Sequence, residues 1–254
     1  PADAPIATAD TTGAVAFDST PAGNCALVMD AGTGSSNLNE VGGTTPLAGL
    51  SLTTDAAFTL DANITTQDVE SINLSGATDV DLAADVTLDS TNGGAFAGGP
   101  IDLTGGAVDG TFDLVLRAGS GDVDLGPLGQ GTALDTLRVT STGTTTLAGN
   151  VDTRGTLGID LDGATTIELA SAVTLDTTDD GAVAGAPIDL DGGTVDGAFD
   201  LDLTAGTGDV ALGSFGQTTA LNSFSVTSDG TVTGTADITT DTTANIDGEL
   251  VLSA

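Results

Sequence analysis

The sequence predicts an all-β fold, a parallel β-solenoid, and three observations carry that reading. The chain repeats itself at a fixed interval of 87 residues. Each repeat is a string of short apolar/polar alternations punctuated by glycine, the pattern of half-buried strands joined by tight corners. The 254 residues include 39% hydrophobic residues but only 3% aromatics, all seven of them Phe. A thin core of stacked Val, Ile and Leu rungs fits that composition better than a thick globular core does.

The repeat is clearest in Phe112–Leu125, Phe-Asp-Leu-Val-Leu-Arg-Ala-Gly-Ser-Gly-Asp-Val-Asp-Leu. It recurs as Phe199–Leu212 and, more degenerate, precedes itself as Cys25–Leu38. Between Val86–Thr146 and Val173–Thr233, 40 of 61 positions are identical without a gap. A period of this kind marks an array whose units bury their apolar faces on one another. One unit is too long for one coil and divides at its glycine-rich corners into four pieces of roughly 25, 24, 21 and 17 residues. The expectation is about eleven or twelve coils of two or three short strands, a rod roughly 50–60 Å long at the usual interstrand spacing.

Residues 1–24 match the period poorly and are expected to form an atypical first coil or cap, with a strand within Ala14–Phe17. From 25 to 254 the solenoid should be continuous, in super-repeats of about 25–111, 112–198 and a truncated 199–254. Within the middle units Val86 and Leu88, Ile101 and Leu103, Phe112, Leu114 and Leu116, Val123 and Leu125, Leu137 and Val139, Leu157, Ile159 and Leu161, and Ile167 and Leu169 are the inward positions. Val115, Arg117 and Asp124 change to Asp202, Thr204 and Ala211 in the next copy and so should face solvent. Leu114 and Leu201 should occupy equivalent places in stacked coils. The chain ends on Glu249–Ala254, which matches Asp113–Ala118 and reads as the opening strand of a further copy.

Charge narrows the function. Thirty-seven acids face three bases, a net charge of −34. The bases are Arg117, Arg138 and Arg154, and only Glu40, Glu70, Glu168 and Glu249 among the acids are not Asp. Nucleic acid and anionic membrane surfaces are excluded as electrostatic partners, whereas cations fit. No apolar run reaches the roughly 18 residues of a membrane-spanning helix. The single Cys25 replaces Phe112 and Phe199 in the alignment and reads as a small buried residue rather than a reactive thiol. The opening Pro1–Pro5 carries no signal-peptide pattern, so an exported protein would have had its signal removed or placed upstream.

Several motifs together resemble the β-strand repeats of giant bacterial surface proteins. They are Asp-Val-Thr-Leu-Asp-Ser/Thr, Pro-Ile-Asp-Leu, Val-Asp-Gly-x-Phe-Asp-Leu, Ala-Gly-Thr-Gly-Asp-Val and Leu-x-x-Phe-x-Val-Thr-Ser. The chain is similar over about residues 25–254 to filamentous-haemagglutinin-type and autotransporter passenger regions. The resemblance implies an extracellular, cell-surface fibre, stalk or adhesin module, and it transfers no catalytic residue.

Catalysis is not expected. His, Lys and Tyr are absent, so the usual nucleophile–base pairs cannot be built. Among 33 Asp residues, 37 acids less four Glu, close carboxylate pairs arise by chance. Calcium is the cofactor that fits best, because Asp side chains and turn carbonyls are hard oxygen ligands. The candidate ligands are Asp122 and Asp124, Asp160 and Asp162, Asp179 and Asp180, and Asp189 and Asp191. The principal functional expectation is a structural module that assembles with itself head to tail through its terminal coils. The alternative is a carbohydrate- or receptor-binding passenger module acting through its side loops.

Overall fold

A computed structural model describes residues 26–34, 40–67, 71–234 and 237–252, together with strand backbone at 4–7, 15–16 and 36–38. Among the described residues it is an all-β solenoid of about nine turns without a helix, and every strand pairing is parallel.

The chain winds over three faces, and each face is a ladder. On the first face the rungs run Leu27, Leu50, Ile72, Ile101, Val123, Thr145, Ile167, Val195, Phe215 and Ile238, nine successive turns. The second face carries Phe58, Val80, Val108, Leu128, Val151, Leu175, Leu203, Val226 and Ile246. The third face starts Val41, Ile64, Leu88, Leu116 and finishes Ile159, Ile188, Val210, Val232, Leu250. Nearly all of these side chains are fully buried and meet in one continuous core. At about 25 cal/mol per Å² of apolar surface removed from water, this interior dominates stability.

The turn count is lower than the eleven or twelve expected, and the ladders show why. Most turns take 20–24 residues, but Leu88 to Leu116 and Leu175 to Leu203 each take 28. The 87-residue unit therefore does not wind four times. From Leu27 three turns lead to Leu50, Ile72 and Ile101, and two further faces lead through Val108 to Leu114. One unit thus spans three and two-thirds turns. Leu27, Leu114 and Leu201 consequently lie on the first, third and second faces, where Leu201 pairs with Val173 and Phe224. Leu114 and Leu201 are both buried, each 1% exposed, but they do not stand above one another.

The alternation holds where the strand is regular and fails at two places. Val115, Arg117, Asp124, Asp202, Thr204 and Ala211 all lie on the outside, half-buried or exposed. Leu157, expected inward, is 67% exposed. The ladder pairs Leu134 with Thr153 and then Thr136 with Gly158, so residues 154–157 bulge outward against a single residue of the neighbouring strand. Phe112 is only partly buried and Phe199 is 40% exposed. Both precede their strands, which begin at Asp113 and Asp200, and follow the corners at Gly110 and Gly197. Cys25 lies outside the described residues. In the N-terminal segment, Ala4–Ala7 pairs with Leu27–Asp30 and Val15–Ala16 with Ser36–Asn37, extending the ladder below the first full turn.

Candidate functional site

The two 28-residue turns owe their extra length to a projecting loop, Ser90–Gly99 in one unit and Thr177–Ala186 in the next. Both loops are built alike. Asp89 Oδ1 accepts from the Thr91 N–H at 2.7 Å and its hydroxyl at 2.6 Å, while Oδ2 accepts from the Gly93 N–H at 2.9 Å. Asp176 Oδ1 accepts from the Thr178 N–H and hydroxyl, both at 2.6 Å. These carboxylates are only 6% and 8% exposed, because the loop they organise folds over them. Each loop is closed by one hydroxyl. Ser90 donates to Gly99 O at 2.7 Å and accepts from the Gly99 N–H; Thr177 does the same with Ala186.

Each loop rests on the Ala-Gly-(Ser/Thr)-Gly corner one turn above. The Ser120 N–H donates to Ala97 O at 2.6 Å, and the Thr207 N–H donates to Ala184 O at 2.7 Å. A Cβ at Gly98 would lie 2.1 Å from Ala118 O, and one at Gly185 would lie 2.1 Å from Ala205 O. The corner glycines exist because two backbones meet there. The loops are therefore rigid, preorganised projections.

Their charges differ although their scaffolds match. The first tip is Asn92-Gly93-Gly94; the second is Asp179-Asp180-Gly181. Asn92, Asp179 and Asp180 all adopt the left-handed region, at φ 51°, 51° and 54°. Asn and Asp tolerate that region better than other side-chain-bearing residues. Beneath the first tip a groove of about 360 Å³ is lined by Thr91, Gly93, Gly94, Arg117, Gly119 and Thr140. In the second unit Arg117 is replaced by Thr204. Arg138 meets Asp160 at 3.1 Å and Arg154 meets Asp179 at 3.9 Å, whereas among the described residues Arg117 forms no ion pair.

Negative potential concentrates beside the second tip. Burial raises Asp152 to a pKa of about 6, with the charges of Asp176, Asp180 and Asp179 adding to the rise and the Gln130 amide opposing it. A carboxyl whose folded pKa lies above its unfolded value favours the folded state only as it protonates. Stability should therefore increase as pH falls from above about 6 towards 4, and that increment is absent above pH 6. Asp160 and Asp189 are also raised, chiefly by burial, and act in the same direction. The expected result is a melting temperature higher at pH 5 than at pH 7. Asp152→Asn should raise the pH 7 value and flatten the slope; an unchanged slope would contradict the assignment.

The eight candidate calcium ligands distribute unevenly. Asp160 and Asp189 are ladder partners on adjoining turns, and Asp162 and Asp191 influence them, so these four share one neighbourhood. Asp179 and Asp180 sit on the second tip. Asp124 stands in the first-face ladder between Asp102 and Thr146. Asp122 Oδ1 accepts from the Thr144 N–H at 2.8 Å. Among the described residues no three His, Cys, Asp or Glu side chains are grouped to hold a metal ion.

Asp122 exposes a role the sequence reading missed. Short polar side chains at the corners accept N–H groups from the next turn, where the ladder is interrupted. Asp109 takes the Gly131 and Thr132 amides, and Asp196 takes those of Thr218 and Thr219. Asp209 takes Thr231, Asn63 takes Thr87, and Asn150 takes Thr174. These contacts recur at 87 residues. They account for the preference for Asp over Glu, since the shorter side chain bonds nearby backbone directly. The recurrence itself was the available signal.

No family model, curated protein or solved structure matches the chain.

Proposed function

We propose that this chain is a non-catalytic structural module of an extracellular bacterial surface fibre, filament or stalk-like adhesin, assembling end to end. The observation that carries the reading is the strand Thr240–Leu252. It pairs with Leu221–Gly234 on one side and, among the described residues, with no strand on the other. Leu250 and Val251 on it are each 45% exposed. The backbone N–H and C=O groups of such a parallel strand, flanked by apolar side chains, are a template for another parallel strand. An added turn, in a second copy or in further repeats of a longer chain, would continue all three ladders. A contact between unlike ends propagates into a filament. Electron microscopy of concentrated protein should show thin rods of constant width and increasing length. Compact particles of one size at every concentration would defeat the proposal.

A second reading is a binding module for carbohydrate or a receptor. The two rigid projecting loops favour it, with Phe96 on the first 43% exposed. Loss of ligand capture in Phe96→Ala, with unchanged assembly, would support this reading over the first.

Cations are the partners that the charge favours. With −34 charges along a rod, melting temperature should rise with NaCl as repulsion is screened. Specific calcium binding at the Asp160, Asp162, Asp189 and Asp191 neighbourhood would make Ca²⁺ more effective than Na⁺ at equal ionic strength. Superimposable curves for the two ions would leave only diffuse screening.

A further inference from the structure

The two loop units share one scaffold and carry opposite chemistry. In the first, Arg117 is exposed at the floor of a groove whose walls are Gly93, Gly94 and Gly119, and the tip above it bears no charge. In the second, the groove position is Thr204, and the tip bears Asp179, which meets Arg154 at 3.9 Å, and the exposed Asp180. Gly93 leaves open space where Asp180 places a side chain, for a Cβ at Gly93 would have no atom within 4 Å. Arg138 and Arg154 each meet a carboxylate of their own chain; among the described residues Arg117 does not. We propose that the Arg117 groove is a docking site for the Asp179–Asp180 tip of a second copy, so that neighbouring rods pair side by side.

Charge complementarity selects this occupant. The groove offers a guanidinium, the exposed Thr140 and glycine-lined backbone, which suit a carboxylate on a narrow projection. Asp180 is such a projection, held at φ 54° above a loop closed by hydrogen bonds. Docking would bring a second cation, besides Arg154, to the place where Asp152, Asp176, Asp179 and Asp180 crowd together. Groove and tip are separated by one 87-residue unit, hence by about a third of a turn around the axis. Each rod can thus give its tip to one neighbour and receive a tip from another.

Small-angle scattering on the full chain at about 0.15 M NaCl tests the proposal, since a Debye length of about 8 Å screens diffuse repulsion between rods but leaves contact pairs intact. The cross-sectional radius of the wild type should increase with concentration. Arg117→Asp and Asp180→Arg should each weaken that association roughly tenfold or more. An equimolar mixture of the two should restore it, because each variant supplies the complement the other lacks. Asp135→Arg, an exposed change elsewhere, should behave as the wild type. A cross-section independent of concentration, an unaffected Arg117→Asp, or a mixture no better than either variant alone would overturn the proposal. End-to-end growth changes length and leaves the cross-section constant, so the two modes of assembly fail separately.

Discussion

Leu201→Asp is expected to destabilise the fold by about 3–5 kcal/mol, the cost of an uncompensated charge in an apolar interior. Leu201 is 1% exposed and packs in the second-face ladder between Val173 and Phe224. The core is one layer shared by every turn, so no adjacent void can receive the carboxylate. Its neighbour Asp202 points outward and accepts the Ser225 hydroxyl. An amide oxygen can accept the same bond, and Asp202→Asn should stay within about 0.5 kcal/mol of the wild type. Urea denaturation compares the two. Similar midpoints would refute the assignment of inner and outer faces.

Gly98→Ala carries the second large effect, about 2–4 kcal/mol from a left-handed φ combined with a backbone collision. Gly98 lies at φ 86°, and its added Cβ would be 2.1 Å from Ala118 O, an atom fixed in the corner. Gly94 in the same loop has φ 85° but open space around its Cβ position. Gly94→Ala isolates the conformational part and should cost only about 1 kcal/mol. The equivalent Gly185→Ala should behave like Gly98→Ala, because the loop and corner are rebuilt there with Ala205 in place of Ala118. Equal costs at Gly94 and Gly98 would show that the loop does not press on the corner.

The contrast between these glycines illustrates how much the sequence makes legible. Strand existence and facing followed from alternation at Val86–Leu88, Ile101–Leu103, Leu114–Leu116 and Val123–Leu125, because a period of two is a local property. Leu157 escaped because a bulge is a property of the paired strand. The number of turns escaped for a related reason. Dividing 87 residues at every glycine-rich stretch treats the loop Ser90–Gly99 as a corner like the others. In fact it is an excursion from one turn that returns to the corner Ala118–Gly121 of the next. The corner motif was visible, but its purpose depends on a chain segment some 20 residues upstream. The loop-organising Asp89 and Asp176 were signalled by Asp-Ser-Thr and Asp-Thr-Thr in matching places. The groove at Arg117 was not, since it needs the loop and two neighbouring strands together.

The screw relation between units also bears on how such a chain meets its surroundings. If equivalent positions were stacked in line, every copy of a loop would address the same side. With three and two-thirds turns per unit, successive copies address three sides, and the unit returns to its starting face after three repeats, or eleven turns. A surface varied from copy to copy, as Arg117 and Asp180 are, then gives each side of the rod its own chemistry.

This winding is tested most directly by one distance between spin labels at Arg117→Cys and Thr204→Cys, with Cys25 replaced by Ala. The two positions are equivalent, outward-facing and one unit apart. Three and two-thirds turns give an axial rise of about 18 Å, and the change of face adds a displacement across the rod, so the separation is well above the axial rise alone. Four turns per unit with equivalent positions in line would give about 19 Å. A narrow distribution well above that distance is the result expected here; one near it would contradict the three-faced winding and the display of loops built on it.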